Sequence, residues 1–219
     1  MSDEQQLFDY EGEDAVVQWD GRLCIHVGEC GRAEGELFVT GRQPWCQPDV
    51  TDEKNIAEVV ARCPTGALTL KKKDGTPVDE PAAAENRCVV ANHGPLYLEG
   101  DLKIAAATDD MPSVRRRAAL CRCGHSKNKP FCDNAHEEAG FQDRGAIGQR
   151  GEALEAKGGE LSVTTARNGP LFVKGNLTLV SASGRVAWTG TRTALCRCGH
   201  AKNKPFCDGA HKAAGFVAD

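Results

Sequence analysis

Hydrophobic residues along this chain come in short runs separated by turn formers, a pattern of brief strands with little helix. Residues 15–19 read as a strand and residues 36–40 as a second one, followed by a turn-rich loop over residues 43–48. Residues 53–62 place Ile56, Val59 and Val60 on one face at helical spacing, with Asp52 before them as an N-cap. Cys63-Pro64-Thr65-Gly66 ends that helix, and residues 67–70 form the next strand. Residues 1–12 read as a loose tail, and residues 74–86, rich in Pro, Ala and charge, as a linker. Farther on, residues 96–99 and 102–105 flank Gly100-Asp101, and residues 171–174 and 177–180 flank Gly175-Asn176. Gly-Asp and Gly-Asn between alternating runs predict two β-hairpins. No apolar run approaches the roughly 18 residues of a membrane-spanning helix.

The two hairpin patterns belong to a repeat with an offset of 75 residues. From Ala119 to Phe141, 19 of 23 positions are identical to those from Ala194 to Phe216. The same offset carries Gly94-Pro95 onto Gly169-Pro170 and Arg117 onto Arg192 without insertion. One structural unit used twice follows, as two small domains facing each other rather than as a solenoid.

Composition sharpens this picture. Aromatics are few and glycines number 24, so several small units with thin cores are expected, and such units need staples. Eleven cysteines could supply them. The opening residues are acidic and polar and do not read as a secretory leader, which favours metal over disulfides and a cytoplasmic, reducing setting. Charge divides unevenly. Residues 1–74 carry 15 acidic and 8 basic side chains, so this part could dock on a basic redox partner or on the basic remainder of its own chain. Arg115-Arg116-Arg117 is too short to argue for nucleic acid, and the stacking aromatics of a single-strand binder are missing.

The chemistry concentrates in the repeat. Each copy reads C-x-C, eight residues, C, three residues, H. The residues are Cys121, Cys123, Cys132 and His136 in the first copy, and Cys196, Cys198, Cys207 and His211 in the second. Three thiolates and an imidazole within sixteen residues can complete a four-coordinate metal site. Zinc sites usually come as two separated two-residue knuckles, whereas here one C-x-C leads to a lone Cys and a lone His. His125 and His200 read as exposed loop histidines. A third candidate lies near the amino terminus: Cys24 and Cys30 enclose five residues, and Cys63 precedes Pro64. Cys46 and His26 are candidates for a fourth ligand there, and Cys88 reads as a buried free thiol. No phosphate-binding loop, dinucleotide fingerprint or nucleophile elbow is present, so no enzymatic activity is expected.

Both copies resemble the CDGSH iron–sulfur domain of the mitoNEET type, whose pattern is C-x-C-x₂-S/T-x₃-P-x-C-D-G-x-H. The first copy matches at Cys121, Cys123, Ser126, Pro130, Cys132, Asp133 and His136. The second matches at Cys196, Cys198, Pro205, Cys207, Asp208, Gly209 and His211. The resemblance implies a [2Fe–2S] cluster on the three Cys and the His of each copy. Asn134 replaces the motif Gly, and Ala201 replaces the motif Ser/Thr. The second loop thus lacks a hydroxyl near the cluster sulfurs, and a small difference in reduction potential is expected. Residues 13–72 resemble a divergent single-cluster ferredoxin domain, implying a [3Fe–4S] or [4Fe–4S] cluster at Cys24, Cys30 and Cys63, with Cys46 or His26 completing the latter. The expected fold class is α+β. A ferredoxin-like domain over residues 13–73 precedes two β-rich CDGSH units over 88–141 and 163–217 in a pseudo-twofold arrangement. The expected protein is a monomer with an internal pseudo-dimer. It would work in one-electron transfer with redox partner proteins, or else as a cluster carrier for apo-protein acceptors or as a redox or iron sensor.

Overall fold

Residues 6–218, described by a computed structural model, form a mixed, mostly β structure with little helix. At the amino terminus β1 (Leu7–Glu11), β2 (Ala15–Asp20) and β3 (Leu68–Lys72) make an antiparallel sheet in that order. Helix α1 (Glu53–Ala61) lays Ile56, Val59 and Val60 against Val17, Leu37, Leu68 and Leu70. The Asp52 carboxylate caps it, accepting from the Asn55 N–H at 2.8 Å.

Two expectations fail in this domain. Part of the presumed tail is β1, fixed by its pairing with β2; residues 1–5 of that stretch lie outside the described residues. Residues 36–40 form no strand, only one bridge between Phe38 and Cys46. The Arg42 guanidinium donates to the carbonyls of Glu36 and Leu37, at 2.7 and 3.2 Å, and the backbone pairing here is short, with Gln47 N–H on the Leu37 carbonyl and Val39 N–H on that of Trp45.

The repeat folds into one seven-stranded sheet. Its strands are β4 (Arg87–Val90), β5 (Leu96–Glu99), β6 (Asp101–Ile104), β7 (Arg117–Leu120), β8 (Glu160–Thr165), β9 (Leu171–Val180) and β10 (Val186–Leu195). The expected hairpins do not form. Strand β5 pairs with β4 and β7, while β6 leaves to pair in parallel with β8. In the second copy both halves of the presumed hairpin are one strand, β9, whose first half pairs with β8 and whose second half pairs in parallel with β4. The 75-residue offset maps β4 onto β8 and β6 onto the second half of β9, so the same exchange occurs twice.

Gly100 and Gly175 serve these crossings rather than turns. Their φ angles are +154° and +126°. A Cβ at Gly100 would overlap the Asn86 side chain, and one at Gly175 the Glu160 carbonyl. Asn86 binds the crossing together: its amide donates to the carbonyls of Gly159 and Asn176, each at 2.9 Å, and accepts from the Asp101 N–H at 2.9 Å.

A single apolar core spans both copies and takes in Leu23 and Ala67 of the amino-terminal domain. Among the described residues, the hydrogen bonds that this domain makes to the repeat go to the first copy. Where β10 begins in the second copy, the first has a 3₁₀ turn (Pro112–Arg115), and Ser113 there shares a 2.9 Å hydrogen bond with Thr69. Arg117 donates to the Cys63 carbonyl at 2.6 Å, and Asn128 to the Arg22 carbonyl at 2.7 Å. The stretch read as a linker is tied down midway, because Glu80 pairs with Arg117 and its carbonyl accepts from Arg116 at 2.8 Å. Among the described residues no helix is long and apolar enough to cross a membrane.

Candidate metal centres

Each Cys-rich loop leaves the end of a strand, β7 or β10, and closes on a four-residue helix, α2 (Ala135–Glu138) or α3 (Ala210–Ala213). Asp133 fastens the first loop, accepting from the Lys127 N–H at 2.7 Å and the Ala135 N–H at 3.1 Å. Asp208 does the same for the Lys202 and Ala210 N–H groups, at 2.8 and 3.0 Å. The residue after the third Cys and its Asp is left-handed in both copies, Asn134 at φ +71° and Gly209 at φ +85°, a conformation Asn accepts more readily than most residues.

The four donors of each copy fall into two pairs. In the first, the sulfurs of Cys121 and Cys123 are 3.8 Å apart, and Cys132 Sγ is 3.4 Å from His136 Nδ1. In the second, Cys196 and Cys198 are 3.6 Å apart, and Cys207 Sγ is 3.5 Å from His211 Nδ1. Two thiolates bound at about 2.3 Å to one tetrahedral metal stand about 3.7–3.8 Å apart, and a thiolate with an imidazole about 3.5 Å. Each pair therefore has the spacing of two ligands on one metal. Among the described residues no three His, Cys, Asp or Glu side chains converge on one point. Each copy thus offers four soft donors, in two close pairs, to bound metal.

Electrostatics point the same way. Burial pushes the Cys132 thiol up to about 12 and the Cys198 thiol up to about 11. Cys121 shifts the other way, below the usual thiol range, because Cys123 hydrogen-bonds to it and the amides of Ser126 and Gly124 face it. One charge on this pair holds off a second, and a bound cation would favour the thiolate form of each sulfur. Backbone N–H groups of His125, Asn134 and Gly209 lie 3.4 Å from the sulfurs of Cys123, Cys132 and Cys207. His125 and His200 are exposed, as expected of loop histidines. The Ser126 hydroxyl, by contrast, does not face the sulfurs. It donates to the Phe131 carbonyl at 2.7 Å and accepts from the Asn128 N–H at 3.0 Å, so the exchange for Ala201 alters the loop brace rather than a sulfur contact.

Sequence reasoning missed the residue inside each C-x-C. Arg122 and Arg197 are 1% exposed and among the largest fully buried side chains. Arg122 donates to the carbonyls of Gly94 at 3.0 Å and Ala91 at 2.5 Å, pairs with Asp143, and lies 5.1 Å from the Phe141 ring centre. Arg197 reaches the matching carbonyls of Gly169 and Ala166 and the Phe216 ring. An arginine between two cysteines, present in both copies, was the available signal. The glycines after each C-x-C were missed as well. A Cβ on Gly124 would stand 2.5 Å from the Cys198 carbonyl oxygen, and one on Gly199 would be closer still to that of Cys123. The two metal loops thus touch through their backbones.

At the amino terminus Cys24, Cys30 and Cys63 line one cavity of about 420 Å³, walled by Tyr10, Trp19 and Trp45. His26, at φ +54°, also lines it, with Nδ1 4.0 Å from Cys24 Sγ. Cys46 does not. It is 1% exposed within the domain's apolar core, bridged to Phe38, and burial pushes its thiol up to about 12. Cys88 is fully buried in the core of the repeat, its thiol also pushed up to about 12. Ile25, between Cys24 and His26, packs on Tyr97, Ala119 and Cys132 of the first repeat unit. Tyr97 lies near both Cys132 and Cys63, and burial with those neighbours pushes its phenol up to about 12.

Comparison with known proteins agrees with this division. Residues 93–137 and 168–212 each match the family described as iron-binding zinc finger, CDGSH type, and residues 10–73 match the divergent 4Fe-4S mono-cluster family. The uncharacterized protein YjdI of Escherichia coli strain K12 is 39% identical over 64 residues, which is 29% of this chain and 84% of YjdI. The protein of the same name from Escherichia coli O157:H7 matches to the same extent. The chain therefore carries two iron-binding CDGSH-type domains in tandem and belongs with YjdI, as its homologue, through its divergent 4Fe-4S mono-cluster domain.

Proposed function

We propose that this protein is a one-electron carrier without enzymatic activity. It would hold one [2Fe–2S] cluster on Cys121, Cys123, Cys132 and His136 and another on Cys196, Cys198, Cys207 and His211. A [3Fe–4S] or [4Fe–4S] cluster would sit on Cys24, Cys30 and Cys63. His26 is the better-placed fourth donor for a four-iron form, because it lines the cavity and Cys46 does not. When bound, such clusters take up and release single electrons.

The observation that carries this reading is the continuity of protein between the three centres. Ile25 packs with Ala119 and Cys132 against Tyr97, which lies near both Cys132 and Cys63. The contacts at Gly124 and Gly199 bring the backbones of Cys123 and Cys198 together. Trp19 and Trp45, edge to face at 6.2 Å, shield the amino-terminal cavity. With both units sharing one sheet, the pairing that a symmetric dimer would supply lies within one chain, and a monomer is expected in solution.

Iron and sulfide analysis with EPR on anaerobically purified protein tests the reading. About seven irons and a signal in the oxidised state mean a three-iron amino-terminal cluster, and about eight irons with signals only after reduction mean a four-iron one. Zinc in place of iron overturns the proposal. Truncating Ile25 to alanine should loosen the docked domain by about 2–4 kcal/mol. Faster hydrogen exchange at Ala119 and Cys132, with iron content unchanged, is the expected result.

A cluster-carrier role is the second reading. It is favoured by Cys207, His136 and His211, which are all partly exposed, so ligands of both repeat sites reach the surface. Transfer of a cluster to an apo-ferredoxin on mixing would establish it. Retention of all clusters would leave electron transfer.

A further inference from the structure

The second CDGSH unit presents, uncovered, the face that the first unit uses to receive the amino-terminal domain. In the first unit Ile25 seats on Tyr97, Ala119 and Cys132. The 75-residue offset carries these three onto Phe172, Ala194 and Cys207. The local geometry is the same. Tyr97 lies opposite Ala119 as Phe172 lies opposite Ala194, and the third Cys of each unit donates its N–H to that alanine's carbonyl at 2.9 Å. Only the covering differs. Phe172 is 51% exposed, and Cys207 is partly exposed where Cys132 is 2% exposed.

Charge on this face selects the occupant. The next cross-strand pair is Glu99 opposite Arg117 in the first unit but Lys174 opposite Arg192 in the second. Like charges directly opposite each other destabilise a sheet. Both side chains are exposed, and neither forms an ion pair among the described residues. Residues 163–217 hold eight basic side chains against one acidic, whereas residues 88–141 hold seven of each, so the imbalance is confined to the uncovered unit.

We propose that this face docks a small acidic electron-transfer protein, which sets an apolar side chain beside Phe172 and Ala194 as Ile25 does beside Tyr97 and Ala119. Its carboxylates would lie against Lys174 and Arg192. The proposal rests on the electron-carrier reading and names the partner chemistry of its second repeat centre.

The test uses an acidic plant-type [2Fe–2S] ferredoxin and the full iron-loaded chain. Calorimetry at low and high salt measures binding, and stopped-flow mixing with the reduced ferredoxin measures electron arrival. The Lys174→Glu/Arg192→Glu double variant and Phe172→Ser should each weaken binding about tenfold or more. The Lys103→Glu/Arg115→Glu control, with its charges on the first unit, should leave it unchanged. Iron content and melting temperature equal to the parent's show that each variant is folded. Binding indifferent to salt and to the face variants overturns the proposal. So does a chain that dimerises in solution and becomes monomeric on Phe172→Ser, because the occupant is then a second copy. If the ferredoxin binds at this face but its electron does not arrive, the docking stands and the carrier reading fails. If the electron arrives at a rate that none of the variants alters, the carrier reading stands and the docking fails.

Discussion

Replacing Arg122 with alanine should destabilise the first CDGSH unit by about 3–5 kcal/mol, the usual loss when one partner of a buried ion pair is removed. The guanidinium is fixed on several sides. Its Nε holds the Gly94 carbonyl at 3.0 Å, one Nη holds that of Ala91 at 2.5 Å, the other pairs with Asp143, and Phe141 lies against it. Asp143 in turn accepts from the Gly145 N–H at 2.9 Å, so the arginine also anchors the start of the segment that runs on to the second unit. Alanine would leave the Asp143 carboxylate without its cation, the Gly94 carbonyl without its arginine donor, and the Ala91 carbonyl with only the Gly94 N–H at 3.4 Å.

The same residue stands between the candidate donors Cys121 and Cys123 and grips a turn beside a third, His136. A Cβ added to Gly94 would lie 3.7 Å from His136 Nε2. Loss of Arg122 should therefore release iron from the first repeat site before the second. Lysine keeps the charge but cannot fork to two carbonyls and a carboxylate at once, so Arg122→Lys should fall between parent and alanine. Urea unfolding of the iron-loaded protein, with iron counted after each step, measures both effects. An unchanged midpoint for Arg122→Ala would refute the argument.

What the sequence revealed and what it hid have physical causes. The Asp52 cap and the Ile56, Val59 and Val60 face were legible because helix signals are local. The candidate donors of the two repeat units could be read together because each set lies within one short loop, where chemistry and spacing meet. The strand exchange was not legible. Gly-Asp and Gly-Asn carry the same local signal whether the chain turns back on its own strand or crosses to another unit, and only Asn86 and the Glu160 carbonyl, distant in sequence, decide between them. β1 was hidden for a related reason: its residues alternate weakly, and pairing with β2 supplies the order. The two candidates for a fourth donor at the amino terminus divided similarly. Cys46 has the better donor chemistry, but its neighbours Leu37, Phe38 and Trp45 draw it into the apolar core, while a left-handed backbone at His26 brings the imidazole to the cavity. The asymmetry of docking was half-visible, since Tyr97 against Phe172 and Glu99 against Lys174 are differences in an otherwise close repeat whose meaning depends on where Ile25 lands.

The contact between the two metal loops leads to the other large effect, expected for Gly124→Ala. Gly124 has φ +89°, which for alanine costs about 1–2 kcal/mol by itself. The new Cβ would also stand 2.5 Å from the Cys198 carbonyl oxygen and 2.9 Å from its carbon. Those are backbone atoms of the buried Cys198, held by the loop on either side, so they cannot swing aside as a flexible side chain would. Overpacking of this kind adds about 1–3 kcal/mol. Gly199→Ala meets the Cys123 carbonyl in the same way. Gly140→Ala separates the two contributions, because Gly140 is also left-handed, at φ +59°, but has nothing within 4 Å of a Cβ. Its melting temperature should fall by the conformational part alone, and those of the other two by clearly more. Relief of the overlap requires the two loops to part, which moves Cys123 and Cys198 away from each other. Magnetic coupling between the two reduced repeat centres, read by EPR, should therefore weaken in Gly124→Ala and Gly199→Ala and persist in Gly140→Ala. Equal destabilisation in all three, with coupling retained, would mean that the loops yield without separating and that their backbone contact does not set the distance between the centres.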